Sequence, residues 1–266
     1  MPRKQRLPIG IQTFREIREG DYYYADKTGF ALRLIDEGKY YFLARPRRFG
    51  KSLLIDTLAE LFSGSRELFG GLAAEAVWDW SRTWPVIRLS FGGGMIQQVD
   101  RLAAKIHEQL WINQASLGIR CEDPSPDGCL AELIRKAHAA TGERVVVLVD
   151  EYDKPILDAL DDRELARGMR DGLRSLYSVI KDSDAHIRFA FLTGVSKFSK
   201  VSLFSGLNNL KDITVDRRYS AICGYTEQDL DSVFASELDG LDRAQIRAWY
   251  NGYSWGGEER LYNPFS

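Results

Sequence analysis

Gly50, Lys51 and Ser52 stand between a hydrophobic run, Tyr40-Tyr41-Phe42-Leu43, and a stretch whose apolar positions repeat at helical spacing. A triphosphate needs backbone N–H donors, a cation to bridge its outer phosphates and a hydroxyl to help hold magnesium; a loop running into a helix N-terminus supplies all three. The candidate loop is Arg45-Pro46-Arg47-Arg48-Phe49-Gly50-Lys51-Ser52-Leu53, with Arg47, Arg48, Phe49, Gly50, Lys51, Ser52 and Leu53 as the phosphate-binding set. Gly50 lets the backbone close around phosphate, Lys51 reaches the outer phosphates and Ser52 ligates Mg2+. The usual pattern has Gly, four residues, then Gly-Lys-Ser/Thr, and Arg45 occupies the first Gly position.

A second pattern lies far downstream. Val145-Val146-Val147-Leu148-Val149 is apolar without alternation, as in a strand buried on both faces, and Asp150-Glu151 follows it. A carboxylate at the end of a buried strand is suited to holding magnesium through water, and an adjacent Glu can orient and polarise the attacking water. Asp150 takes the first role and Glu151 the second. The strand Ile187 to Leu192 is expected between the two motif strands, where Thr193 at its end would sense the outer phosphate, with Ser196 and Lys197 nearby. Arg45, Arg47 and Arg48 could add charge to the phosphates, face a partner, or pair with Asp153. Asn-Lys-x-Asp is absent, and Asp150-Glu151-Tyr152-Asp153 replaces the Asp-x-x-Gly of small GTPases, so ATP is favoured over GTP. The Gly92 to Gly94 run reads as a turn. Tyr22, Tyr23 and Tyr24 read as packing residues rather than adenine contacts, and His107 and His138 on helices need no ligand role.

The elements that must position these groups alternate between strand and helix, predicting a parallel sheet covered on both faces. Asp26-Lys27-Thr28 caps a helix carrying Phe30, Leu34 and Ile35 and ending at Gly38. Leu54, Leu58, Leu61 and Phe62 mark the helix after the loop. Val86 to Phe91 predicts a strand; Ile96, Val99, Ala103, Ile106 and Leu110 predict one face of the next helix. Leu130, Leu133, Ile134 and Ala137 form another, as do Met169, Leu173, Leu176, Tyr177 and Ile180. Ile213-Thr214-Val215 is expected as a short last strand. Leu230, Val233 and Phe234, then Ile246, Trp249 and Tyr250, suggest two helices of a C-terminal appendage, giving domains of 1–222 and 223–266.

Composition bounds the remaining classes. The 266 residues carry 36 basic and 38 acidic side chains, a net charge of −2, which gives no overall footprint for nucleic acid or an anionic membrane. Cys121, Cys129 and Cys223 lack CxxC spacing and only three His accompany them, so neither a disulfide framework nor a zinc site is expected. No apolar run reaches a membrane span and Met-Pro-Arg-Lys-Gln-Arg is not followed by the apolar stretch of a secretory signal, so a cytoplasmic protein is expected.

With these motifs in place the chain closely resembles the bacterial and archaeal AAA-ATPase-like family, many of whose members carry a C-terminal restriction-endonuclease-like nuclease domain. The resemblance spans nearly the whole chain. It rests on Tyr24-Ala25-Asp26-Lys27-Thr28, Arg45 to Ser52, Asp150 to Pro155, Leu192 to Ser199, Trp249 to Tyr253 and Tyr262 to Ser266. It implies a three-layer P-loop NTPase fold with an added catalytic Glu, ATP and Mg2+ as ligands, and Arg45 as a family variant of the loop. Asp216-Arg217-Arg218-Tyr219 departs from the family's acidic or proline-containing turn, so no arginine-finger role passes to Arg217 or Arg218. The chain stops at Tyr262 to Ser266, where longer members continue, and no Asp…Glu-x-Lys nuclease set is evident, so the expectation is the ATPase part alone. Catalysis by Glu151, Lys51 and Thr193 is the first reading; a slow ATP-gated switch that docks an effector, and a degenerate site that binds nucleic acid, are the alternatives. A nuclease partner and a homo-oligomer are compatible with all three.

Overall fold

Val145–Asp150 and Ile187–Gly194, the two longest strands among the described residues, are adjacent and parallel within a five-stranded sheet. The structure is a computed structural model that describes residues 4–196, 209–257 and 259–265. Numbered along the chain, the strands are β1 (Tyr40–Ala44), β2 (Val86–Ser90), β3 (Val145–Asp150), β4 (Ile187–Gly194) and β5 (Lys211–Asp212), in the order β2-β3-β4-β1-β5. β1 pairs with β4, β4 with β3 and β3 with β2, all parallel. β4 is therefore inserted between the strand that leads to Gly-Lys-Ser and the strand that ends in Asp150. This is the α/β architecture expected from the sequence, a parallel sheet flanked by helices as in three-layer P-loop NTPases.

The described chain divides into two compact units, each discontinuous. One comprises Met1–Glu37, Arg45–Ser81 and Asp212–Ser266; the other comprises Gly38–Ala44 and Arg82–Lys211 and holds β1 to β4. In the second unit, α4 (Val99–Leu117), α5 (Pro126–Thr141) and α6 (Arg163–Asp182) pack on one face of the sheet. Tyr40, Phe42, Ile87, Leu89, Val145, Val147, Val149, Ala190 and Leu192 meet Leu102, Ile106, Leu130, Leu133, Met169 and Leu173 in one buried cluster. Every residue of β3 is buried, as the lack of alternation requires.

The helix read from Ile96 onward begins only at Val99. Ile96 is buried ahead of it and Val99 is 43 % exposed, so the packed face runs through Leu102, Ile106 and Leu110. Two polar residues on that face, Gln109 and Asn113, are also buried because β2 is the terminal strand and its outer backbone groups need partners. Asn113 Oδ1 accepts from Arg88 N (2.8 Å), Asn113 Nδ2 donates to Arg88 O (2.8 Å), and Ser90 N donates to Gln109 Oε1.

In the first unit, α1 (Phe14–Glu19) is held by Asp56 of α3 (Lys51–Ser63), whose carboxylate accepts from Phe14 N (2.6 Å). The helix expected after Asp26 is α2 (Thr28–Glu37), and Asp26 accepts from Thr28 N (2.8 Å) and from Ala73 N (2.7 Å). Lys27 pairs with Asp229 at 2.6 Å, and Tyr23 packs on Phe234 with ring centroids 5.5 Å apart. The C-terminal helices are three short ones among the described residues, Glu227–Ser232, Ala235–Leu238 and Arg243–Tyr250, rather than two, because the chain turns after Ser232. Trp249, expected on a packed face, is 72 % exposed, whereas Ile246 packs as expected. The last strand also shifts: β5 is Lys211–Asp212, and Ile213-Thr214-Val215 turns away, with Asp212 accepting from Thr214 N (3.0 Å) and Ile213 O accepting from Asp216 N (3.3 Å). Among the described residues no helix is long and apolar enough to cross a membrane.

Removing the partner of part-buried backbone groups leaves them without their hydrogen bonds, at about 1 kcal/mol or somewhat more. Asn113→Ala is expected to lower unfolding stability by that amount, read as a reduced urea midpoint at unchanged m-value; an unmoved midpoint would show that β2 does not depend on Asn113.

Candidate functional site

The loop that follows β1 in sequence is shaped by side chains. Arg45 is 1 % exposed; its Nη1 donates to Thr214 O (2.8 Å) and its Nη2 to Tyr219 O (3.2 Å), while the guanidinium lies 4.4 Å from the Trp255 ring centroid. Burial pushes its pKa down to about 10, partly countered by Cys223 and Asp212, so it stays charged at neutral pH. Phe49 is fully buried between Tyr253 and Trp255, with centroids 4.9 and 5.9 Å away. Gly224 (φ +85°) has no substitute there, since a Cβ would come within 2.5 Å of Phe49 Cε1. Arg48 adopts φ +63° and sets its guanidinium 4.0 Å from the Phe265 ring centroid; Arg47 is exposed.

Gly50 takes φ +93° at the N-cap of α3, and nothing lies within 4 Å of where its Cβ would be. The first turn of α3 thus opens on a residue that leaves room for a ligand at a helix N-terminus, where unpaired N–H groups and the helix dipole favour anions. Lys51 is buried and its Nζ donates to Pro46 O (2.9 Å), across the base of its own loop. Ser52 and Leu53 are half-buried in that turn.

The other group of residues gathers at the C-terminal ends of β3 and β4. Thr193 Oγ1 donates to Asp150 Oδ1 (2.5 Å), and both residues are buried. Glu151 adopts φ +53° and is only half-buried; its Oε2 lies 3.4 Å from the position a Cβ on Gly92 would take. Asp153, a candidate partner for Arg45, Arg47 and Arg48 in the sequence, is fully buried and accepts from Val195 N (3.1 Å), Ser196 N (2.8 Å) and Ser196 Oγ (2.9 Å). Lys154 Nζ donates to Gly94 O (2.7 Å) and pairs with Asp158, fixing the glycine turn after β2.

Asp150, Glu151 and Thr193 are thus brought together in the unit of the sheet, and Arg48, Phe49, Gly50, Lys51, Ser52 and Leu53 lie along one loop and helix start in the other. β1 runs from the sheet into that loop, and its last residue, Ala44, pairs with Gly194, one residue beyond Thr193. Lys197, Phe198 and Ser199, named beside Thr193, lie outside the described residues, as does Ser266. The structural roles of Asp153 and Arg45 were missed in the sequence. Their signals were a third carboxylate in Asp150-Glu151-Tyr152-Asp153 and an aromatic-rich tail with no assigned contact. The tyrosines Tyr22 and Tyr24 pack against arginines, Arg6 4.5 Å from one ring centroid and Arg18 6.0 Å from the other.

Residues 8–204 match the AAA-ATPase-like family, described as predicted AAA-ATPase. A protein of Azotobacter chroococcum mcd 1, described as an uncharacterized protein in the vnfD 5' region, is 68 % identical over 263 residues; the alignment covers 98 % of this chain and 51 % of the relative. The chain therefore spans about half the length of the curated relative it matches.

Restoring the missing glycine tests what Arg45 does. Arg45→Gly strands two carbonyls and removes charge-assisted hydrogen bonds, and is expected to cost about 3 kcal/mol of unfolding stability by urea denaturation. Stability equal to the parent's would show that the tail and turn hold without it.

Proposed function

The chain belongs to the AAA-ATPase-like family, and on that premise we propose that it binds ATP with magnesium and hydrolyses it. The observation that carries this reading is the buried Asp150 carboxylate, bonded to the Thr193 hydroxyl on the strand inserted beside it. Lys51 and the loop amides from Arg47 to Leu53 bind the phosphates and stabilise charge on the transferring phosphoryl group, with Arg47 and Arg48 at the rim. Glu151 accepts the proton of the attacking water, and Thr193 orients Asp150 and senses the outer phosphate. Residues 1–222 form the ATPase domain in this reading and 223–266 its helical C-terminal piece.

Magnesium suits the donor set: it takes oxygen ligands, usually one or two from protein with the rest from phosphates and water. Ser52 and Asp150 offer a hydroxyl and a carboxylate, and among the described residues no group of three or more His, Cys, Asp or Glu forms a closed cage. When bound, the metal would neutralise charge developing on the phosphates.

A second reading, a slowly turning-over switch, is favoured by the packing of Phe49 and Arg48 against Tyr253, Trp255 and Phe265, through which the loop can report its state to the C-terminal segment. A nuclease domain or partner is the effector class the family resemblance suggests for it.

Calorimetric titration of ATP and GTP with magnesium, followed by phosphate release, separates the readings. ATP is expected to bind and GTP not, Lys51→Ala to abolish binding, and Glu151→Gln to retain ATP while lowering turnover about 10²–10⁴-fold. Turnover well below ~1 s⁻¹ in the parent selects the switch. Undiminished turnover by Glu151→Gln removes that residue from catalysis, and no heat with either nucleotide leaves a degenerate site, to be tested for salt-sensitive DNA binding.

A further inference from the structure

At the N-terminal ends of the strands, opposite to Asp150 and Thr193, the sheet unit carries a cleft of about 590 Å³ walled by Arg82, Trp84, His138, Glu143, Arg144 and Arg188. The six residues of β3 separate it from the carboxylate end by about 20 Å. Three guanidinium groups face one carboxylate there. Both oxygens of Glu143 are taken by Arg82 (Nη2 at 2.8 and 2.9 Å), which also covers Trp84, 5.2 Å from its ring centroid. The next carboxylate, Asp184, is engaged by Lys39 Nζ and Tyr40 OH, each at 2.7 Å, and acts on Arg144 only through space. Arg144 and Arg188 are left with no hydrogen-bonded carboxylate among the described residues.

Arg188 is placed there by a deliberate irregularity of the sheet. Val145 pairs with Ile187 and Val146 with Phe189, so Arg188 is the extra residue of a bulge. Regular alternation would put residue 188 on the face of Ala190 and Leu192, inside the helix-covered core; the bulge re-aims it into the cleft. Burial and the neighbouring Arg144 and Arg82 lower its pKa, with Glu143 opposing them, which means the charged form is held at a cost. His138, one of the wall residues, is hydrogen-bonded behind the cleft lining to His186, Nδ1 to Nδ1 at 2.9 Å, one ring donating and the other accepting. Arg188 is half-buried beside the exposed Arg144, and an anion with several acceptor oxygens would offset the repulsion between them and accept from their guanidinium donors.

We propose that this cleft binds the phosphoryl group of a small phosphorylated ligand, gripped by Arg144 and Arg188. A free ligand is favoured over a nucleic-acid backbone because the cationic groups line one half-open cleft rather than forming a stripe, on a chain of net charge −2.

Inorganic phosphate and pyrophosphate titrated calorimetrically into Lys51→Ala protein, at ionic strength held constant with chloride, read this cleft with the loop site disabled. Saturable binding is expected, weakened about tenfold or more by Arg188→Gln and by Arg144→Gln. Absence of saturable binding, binding confined to protein with Lys51 intact, or unchanged affinity in both arginine variants would overturn the proposal. Arg144 is exposed, so its variant keeps the test valid if Arg188→Gln does not fold. A single-stranded oligonucleotide that binds through these arginines while phosphate does not would replace the small ligand with a backbone.

Discussion

The carboxylate of Asp153 has no exposed surface, and three hydrogen bonds from Val195 and Ser196 converge on it. A buried charge without partners would cost far more than the fold can absorb, so β4's exit must run where its amides can reach this group. Tyr152 adds to the lock, its N–H donating to Thr193 O (2.9 Å) and its hydroxyl to Ser196 O (3.1 Å). The segment after β3 is thus tied to the end of β4. The contact between Thr193 and Asp150, two residues inside that tie, is consequently a fixed feature of the sheet rather than a chance approach of two side chains.

Arg45 imposes a comparable constraint on the loop by another route. A glycine in that position would contribute backbone freedom; the arginine contributes a buried guanidinium that reaches across to Thr214 and Tyr219. The positive φ values of the loop fall later, at Arg48 and Gly50. Its path is therefore pinned from the side by the C-terminal segment, whose Tyr253 and Trp255 also enclose Phe49. Tyr24 to Thr28, quoted as a family motif, is likewise a piece of scaffold: Asp26 caps α2, and Lys27 fastens the segment to Asp229.

What could be read from the sequence were elements whose signal is local. The unbroken apolar run Val145 to Val149 gave β3, the helical spacing of Leu54, Leu58 and Leu61 gave α3, and likeness to P-loop ATPases with an added catalytic Glu placed β4 between the motif strands. Local pattern failed where a distant partner decides. Gln109 and Asn113 look like solvent-facing positions until β2 is known to be the sheet edge. Ile213-Thr214-Val215 is β-branched, yet Asp212 captures the Thr214 amide and the chain turns. Arg188 disrupts an otherwise apolar strand, and only the pairing of β3 with β4 shows that a bulge accommodates it.

Backbone strain falls on two residues of the candidate site and on one residue outside it. Among the described residues three non-glycine positions have positive φ: Asp21, Arg48 and Glu151. Each costs on the order of 1–3 kcal/mol and persists only where the surroundings over-determine it. At Glu151 they do: Asp150 before it is held by Thr193, Asp153 after it is buried, and its own carbonyl accepts from Lys154 N (3.0 Å). In the proposed mechanism it is from this strained backbone position that the Glu151 carboxylate acts as general base.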